Sequence, residues 1–453
     1  MILLSMKRDS IELGTLNVVV LFKKYFFPTL LGMLSISAVT TIDGIFVGHG
    51  IGSDGIAAIN ICIPLLMFFT GIGLMLGGGC SVVASIHLSR KKVKAARLNI
   101  TQALLIVSLL VAALSILIMM FPKETAKILG ASEHLSPMVV DYLMWSVPSW
   151  TFQMWTTISL FIIRLDGAPK LAMCCSLIAA LLNVILDWLF IFPLNWGITG
   201  AAFATSISVI AGSLIAIIYL LHYAERLRLC LIKISIKSIR LMIRNIDYQC
   251  RIGFSAFLTE MTLATLMFMG NVIFMKYLGD NGVAAFGIAC YYIPFVFMIG
   301  NAIAQSAQPI ISYNWGLGYA KRVMTTERIA LATSIVCGGI ITFIFCFFPH
   351  SLVGLFISLN EETASIAING FPYFSIAFIF FILNLCIIGY YQSVERIKSA
   401  IFYAVFRGFI FLIPCFILLP KLIGVKGIWL ALAASEILTI ALIIIKYKIH
   451  NNK

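Results

Sequence analysis

Charge is scarce in this chain. Asp, Glu, Lys and Arg make up 11% of its 453 residues, about half the share of a soluble domain. That composition excludes a solvated globular enzyme. The eleven cysteines include no CxxC pair, and the only adjacent pair is Cys174–Cys175, so neither a disulfide framework nor a metal site is expected. There is no Ser/His pair, no His cluster and no HExxH-like stretch to support a membrane-embedded enzyme. No sizeable hydrophilic segment could serve as a sensing domain. A cleavable signal peptide is not expected either, because the apolar run Leu16–Phe22 is too short. It reads as a lead-in along a membrane surface.

Apolar residues fill the space instead. They form 61% of the chain, and the mean hydropathy is +1.05. Nearly all fall in runs long enough to cross a bilayer. A spanning segment must satisfy its own backbone, so each run is expected to be a helix. Twelve spans are expected, at about 25–47, 55–88, 98–121, 136–163, 170–192, 198–223, 252–278, 283–313, 327–349, 369–391, 398–419 and 426–447. The net charge of +14 follows from topology rather than from nucleic-acid binding. Of the 32 Lys and Arg residues, twenty-six lie in the termini and one set of alternate loops, five (Lys123, Lys127, Lys276, Lys421, Lys426) lie in the other, and Arg407 lies inside a span. The imbalance places both termini in the cytoplasm of a multi-pass inner-membrane protein.

The chain also repeats itself. IFVGHGIGSDGIAAINICIP, from Ile45, resembles IFMKYLGDNGVAAFGIACYYIP, from Ile273. Two six-helix lobes are therefore expected, 1–223 and 252–453, related by an axis along the membrane normal. The repeat is imperfect at one position, where Asp43 corresponds to Asn271. Between the lobes, 224–251 carries Lys233, Lys237, Arg240 and Arg244 on one helical face. It reads either as a basic amphipathic helix on the cytoplasmic leaflet or as a linker with a solvated face.

Of the charged residues inside the spans, five stand out: Asp43, Asp187, Glu260, Glu436 and Arg407. Each costs about 2.5–3.5 kcal/mol on insertion scales, so such residues mark ion or solute paths. Helical rise puts Asp43 ~28 Å and Asp187 ~26 Å from the cytoplasmic surface. Asn183 lies one turn below Asp187 on the same face, and Thr205 enters from the outer side to a similar level. With no Lys or Arg in spans 1–6, two neighbouring carboxyls there would share a proton. The same oxygens would also suit Na⁺. Glu260 and Arg407 both lie at ~14 Å, and Glu436 reaches middle depth. A Glu260–Arg407–Glu436 cluster is expected, either as a structural salt bridge or as part of a second cation site.

These residues, with IDGIFVGHGIGSDGIAA, IRLDGAPK, NVILD and GVKGIWLALAASE in this order, make the chain resemble the multidrug and toxic compound extrusion (MATE) family, nearest its prokaryotic DinF/MepA-like branch. The resemblance implies an all-α membrane fold of two pseudo-symmetric six-helix lobes forming a V. It implies cation-driven antiport, without a cofactor, of small amphipathic, mainly cationic compounds. It maps the family's cation site onto Asp43, Asn183, Asp187 and Thr205, its bending proline onto Pro28, and its helix 7 acid onto Glu260. Span 10 carries Asn384 rather than an acid, which argues for H⁺ over Na⁺. A Na⁺-coupled exporter and a lipid-linked oligosaccharide flippase of the same superfamily are the alternatives. The flippase would want basic cavity residues, whereas the intramembrane balance here is acidic. The expected partners are solutes and membrane lipids, not nucleic acid, and a monomer suffices.

Overall fold

The computed structural model describes residues 13–232 and 235–451. Lys7, Arg8, Lys233 and Lys453, counted above for topology or for the basic face, lie outside them. The described chain is all-helical. The first half runs α1 (Val18–Gly50), α2 (Ser53–Ser89), α3 (Val93–Met120), α4 (Pro122–Ile128), α5 (Ser136–Ser146), α6 (Trp150–Leu165), α7 (Pro169–Ile191) and α8 (Gly197–Ile218). The second runs α9 (Ile236–Gly316), α10 (Ala320–Phe347), α11 (Pro349–Gly354), α12 (Glu362–Ser393), α13 (Ile397–Val405), α14 (Leu412–Ile423) and α15 (Val425–Asn451).

Eleven helices among the described residues are long and apolar enough to cross a membrane. The remaining expected span, 136–163, is the segment that breaks at Pro148. A 3₁₀ turn, Val147–Ser149, separates α5 from α6, because proline removes a helical donor and crowds the preceding turn. α9 contains two spans. They meet at Gly279, whose φ of 63° suits a residue without a Cβ and replaces a loop. The repeat persists at the level of elements. The short helices α4 and α11, and the starts of α3 and α10, α7 and α13, and α8 and α15, each recur after about 227 residues.

The side chains sort as a lipid solvent requires. On α3, Ile100, Val107 and Val111 are buried, while Leu109, Ile116 and Met120 are each about 60% exposed. An apolar stripe left uncovered beside a buried one is what a bilayer would cover.

The chain divides into two compact units, at points other than those of the span count. The first runs to Phe257 and takes in Pro309–Val323. The second holds Leu258–Gln308 and the chain from Met324 onward. In the first unit α1 packs along α7, α7 along α8, and α2 along α3 and α6. The start of α9 belongs here because Gly79 and Gly253 allow backbone contact: a Cβ on Gly253 would meet the Met75 carbonyl, and one on Gly79 the Gln249 carbonyl. The end of α9 is held by Asn314, whose Nδ2 donates to the Leu13 carbonyl at 3.0 Å. Arg322 adds bonds to the carbonyls of Leu13 and Leu16. In the second unit α12 and α14 pack along α15, around Trp429, Phe371, Phe374 and Phe378.

Candidate functional site

In the first unit, α1, α7 and α8 bring Asp43, Asp187, Asn183 and Thr205 to the same end. Asp187 is fully buried and Asn183 nearly so, while Asp43 is half-buried. The two carboxyls lie against each other, within side-chain hydrogen-bonding range once one carries a proton. Asn183 is adjacent, but its Nδ2 donates to Thr205 Oγ1 at 3.4 Å. Both Asp187 oxygens and Asp43 Oδ1 are therefore left without a hydrogen-bond partner. Two carboxyl groups in contact, with no basic side chain between them, need a proton or a small cation to be stable in a dry interior.

The site is closed at one end by hydrocarbon. Val47, Ile191 and Ala201 form a single buried cluster, 0%, 2% and 1% exposed. Each stands one helical turn beyond a polar residue: Val47 past Asp43, Ile191 past Asp187, and Ala201 past Thr205 toward the start of α8. Residues at i and i+4 stack along a helix, so three helices that align their oxygens also align this apolar cap. Pro28 is buried within α1, fifteen residues below Asp43, or ~22 Å along the axis.

Tyr142, on α5, was not among the residues singled out from sequence. It is half-buried, close enough to feel charge on the two aspartates. A single Tyr on a short helix ahead of a proline break carries no pattern that marks it; only the packing of α5 on α8 places it there.

The second unit corrects the expected three-member cluster. Arg407 and Glu436, each 1% exposed, form a buried pair, with Nε at 2.8 Å from Oε1 and 2.9 Å from Oε2. The third partner is Asn384, whose Nδ2 donates to Glu436 Oε2 at 2.6 Å. Glu260 is not part of it. No hydrogen bond or ion pair reaches its side chain among the described residues, and its Oε2 is buried and unpartnered. Azimuth explains the difference. Leu258 packs with Tyr403 and Ala404, and Thr262 lies against Gly408. Glu260, two residues from each, faces the other way round the helix. Arg407 itself sits in a π-helical turn, Phe406–Phe411, with its guanidinium 4.3 Å from the Phe381 ring. Such turns insert a residue and re-aim the side chains around it.

The IRLDGAPK segment has a structural role. Buried Asp166 accepts from Tyr219 Oη at 2.8 Å and from the backbone N–H groups of Glu225, Arg226 and Leu227 at 3.2, 3.0 and 3.0 Å. It ties down the chain leaving α8.

Comparison with known proteins gives one consistent pattern. The family model described as MatE matches residues 28–189 and 256–417. The chain is 25% identical over 434 residues to the multidrug export protein MepA of Staphylococcus saprophyticus, covering 93% of this chain and 91% of that one. It is 24% identical over 438 residues to MepA of Staphylococcus aureus, covering 93% and 92%. Among solved structures it resembles an outward-facing multidrug-resistance MATE transporter of the MOP superfamily, with a TM-score of 0.88 at 18% identity over 96% of each chain.

Proposed function

The chain belongs to the MATE family, which makes it a multi-pass membrane transporter and not an enzyme, and from that premise we propose that it exports amphipathic, mainly cationic compounds in exchange for protons. The contact between Asp43 and Asp187, with no basic residue to neutralise it, carries the reading. The curated relatives named for multidrug export support it.

The exchange follows from electrostatics. With the pair deprotonated, the first lobe presents negative charge that attracts a cationic solute. A proton arriving from outside is shared between the two carboxyls, cancels part of that charge and weakens the attraction, so the solute leaves outward. The lobes, 1–223 and 252–453, then exchange openings about Pro28, and the proton leaves on the cytoplasmic side, where the basic loops and both termini lie. A proton entering for each singly charged cation that leaves moves no net charge, so the pH difference drives the exchange; one pH unit is worth about 1.4 kcal/mol, a roughly tenfold solute gradient. Asn183 and Thr205, bonded to each other, add polar side chains beside the pair. A second reading is favoured by one observation: four oxygen-bearing side chains from three helices form a donor set that also suits Na⁺.

The test is efflux of a cationic dye from proteoliposomes under an imposed pH gradient alone and then under a Na⁺ gradient alone. Efflux is expected with the first and not the second. Asp43→Asn and Asp187→Asn are each expected to abolish coupled efflux while the protein remains folded in the membrane. Efflux driven only by Na⁺ transfers the site to the second reading, and wild-type efflux from either variant removes that residue from the mechanism.

A further inference from the structure

The opening turns of α9 carry a face that the transport reading does not use. Ile236, Ile239 and Ile243 are 82%, 44% and 63% exposed. Lys237, Arg240 and Arg244 are exposed beside them and make no hydrogen bond or ion pair among the described residues. The opposite face is fastened. Asn245 Nδ2 donates to Gln102 Oε1 at 2.9 Å, and fully buried Gln249 donates from Nε2 to Asn99 Oδ1 at 2.9 Å. This segment is therefore a docked helix with a free side. It is not a loose linker.

Those two bonds also set its depth. Asn99 and Gln102 lie two and five residues past Arg97, or ~3 and ~8 Å along α3. Arg97 itself faces loop backbone, donating to the carbonyls of Arg226 and Glu225. The free side of α9 thus stands at the boundary between hydrocarbon and headgroups. There it presents an open, shallow groove formed by Ile236, Ile239, Arg240, Ile243, Arg244 and Asp247, all from this one helix. Asp247 does not cancel the arginines, because it pairs with Arg251 at 2.9 Å.

We propose that this face binds an anionic phospholipid. Arg240 and Arg244 are one helical turn apart and can take a phosphate in forked, charge-assisted hydrogen bonds. The isoleucines on the same face would lie under the first part of the acyl chains. Exposed Ile on a plain solvated face has no such use, and the alternation of Ile with Arg or Lys matches a molecule that is apolar at one end and anionic at the other.

The experiment is native mass spectrometry of the full-length protein in detergent, titrated with dioleoylphosphatidylglycerol or dioleoylphosphatidylcholine. Wild type is expected to retain the glycerol lipid preferentially. The double variant R240Q/R244Q breaks no fold contact and is expected to bind it at least about tenfold more weakly, the equivalent of one lost charge-assisted bond. Ile239→Ser with Ile243→Ser should weaken it as well. Equal retention by R240Q/R244Q and wild type overturns the proposal. So does equal retention of the two lipids by wild type, or displacement by inorganic phosphate, which marks a plain anion site. The readout needs no transport, so an inactive antiporter leaves it unchanged.

Discussion

Replacing Arg407 with Met strands Glu436. Its carboxylate, 1% exposed, keeps only the Asn384 amide at 2.6 Å. Breaking one side of a buried pair costs about 3–5 kcal/mol, because the remaining charge keeps its desolvation penalty without its partner. In a domain of this unit's size, 1 kcal/mol moves the midpoint by about 2–4 °C, so R407M is expected to melt roughly 6–20 °C lower. Removing both charges removes both penalties. R407M/E436M should therefore recover at least half of that loss, less about 1 kcal/mol for the bond Asn384 gives up. The assay is built into the chain. Its cysteines are free, and Cys386 and Cys415, both in the second unit, are 4% and 5% exposed. A dye that fluoresces on reacting with thiols reports their emergence on heating. An R407M variant melting within about 2 °C of wild type, or a double variant no more stable than the worse single, refutes the coupling.

Three further expectations follow. Glu260→Gln should melt at or above the wild-type temperature, since it neutralises a carboxylate that no partner compensates; a drop as large as that of Glu436→Gln would mean Glu260 is paired after all. Gly253→Ala places a methyl group against the Met75 carbonyl, backbone against backbone, and should cost several kcal/mol, of order 3, seen as lost monodisperse protein in size-exclusion chromatography. Asp166→Asn turns an acceptor of three backbone N–H groups into a mixed donor and acceptor. It should speed amide hydrogen exchange at Glu225–Leu227 while leaving α1–α3 protected.

Much of the fold was legible because hydrocarbon sets hard limits on length and charge. The spans followed from run length, the repeat from the likeness of the segments at Ile45 and Ile273, and the shared level of Asp43 and Asp187 from helical rise. Depth along an axis is a single coordinate, however, and a contact needs the angle around it as well. Glu260 and Arg407 matched in depth, yet Glu260 faces away from Arg407 because Leu258 and Thr262 occupy the packed side of that helix. The π-turn that aims Arg407 leaves no mark in an apolar stretch read by periodicity, and Asn384 showed its role only once Glu436 stood opposite it. Tyr142 depended on where a proline-broken span comes to rest. The two halves share elements but not chemistry: Asn271, the counterpart of Asp43, is exposed, and the second half puts its charge on Arg407 and Glu436.

The layer of Val47, Ile191 and Ala201 bears on leakiness. Water enters a layer this apolar only reluctantly, so under the proposed exchange a proton on the Asp43–Asp187 pair would be walled off from that side. An exchanger that let its ion slip through without cargo would run down the very gradient that feeds it. Phe46, Ile51, Ile56 and Ile59 back these three side chains, so under the proposed exchange α1 would have to part from α7 and α8 through the whole plug before the pair met water on that side.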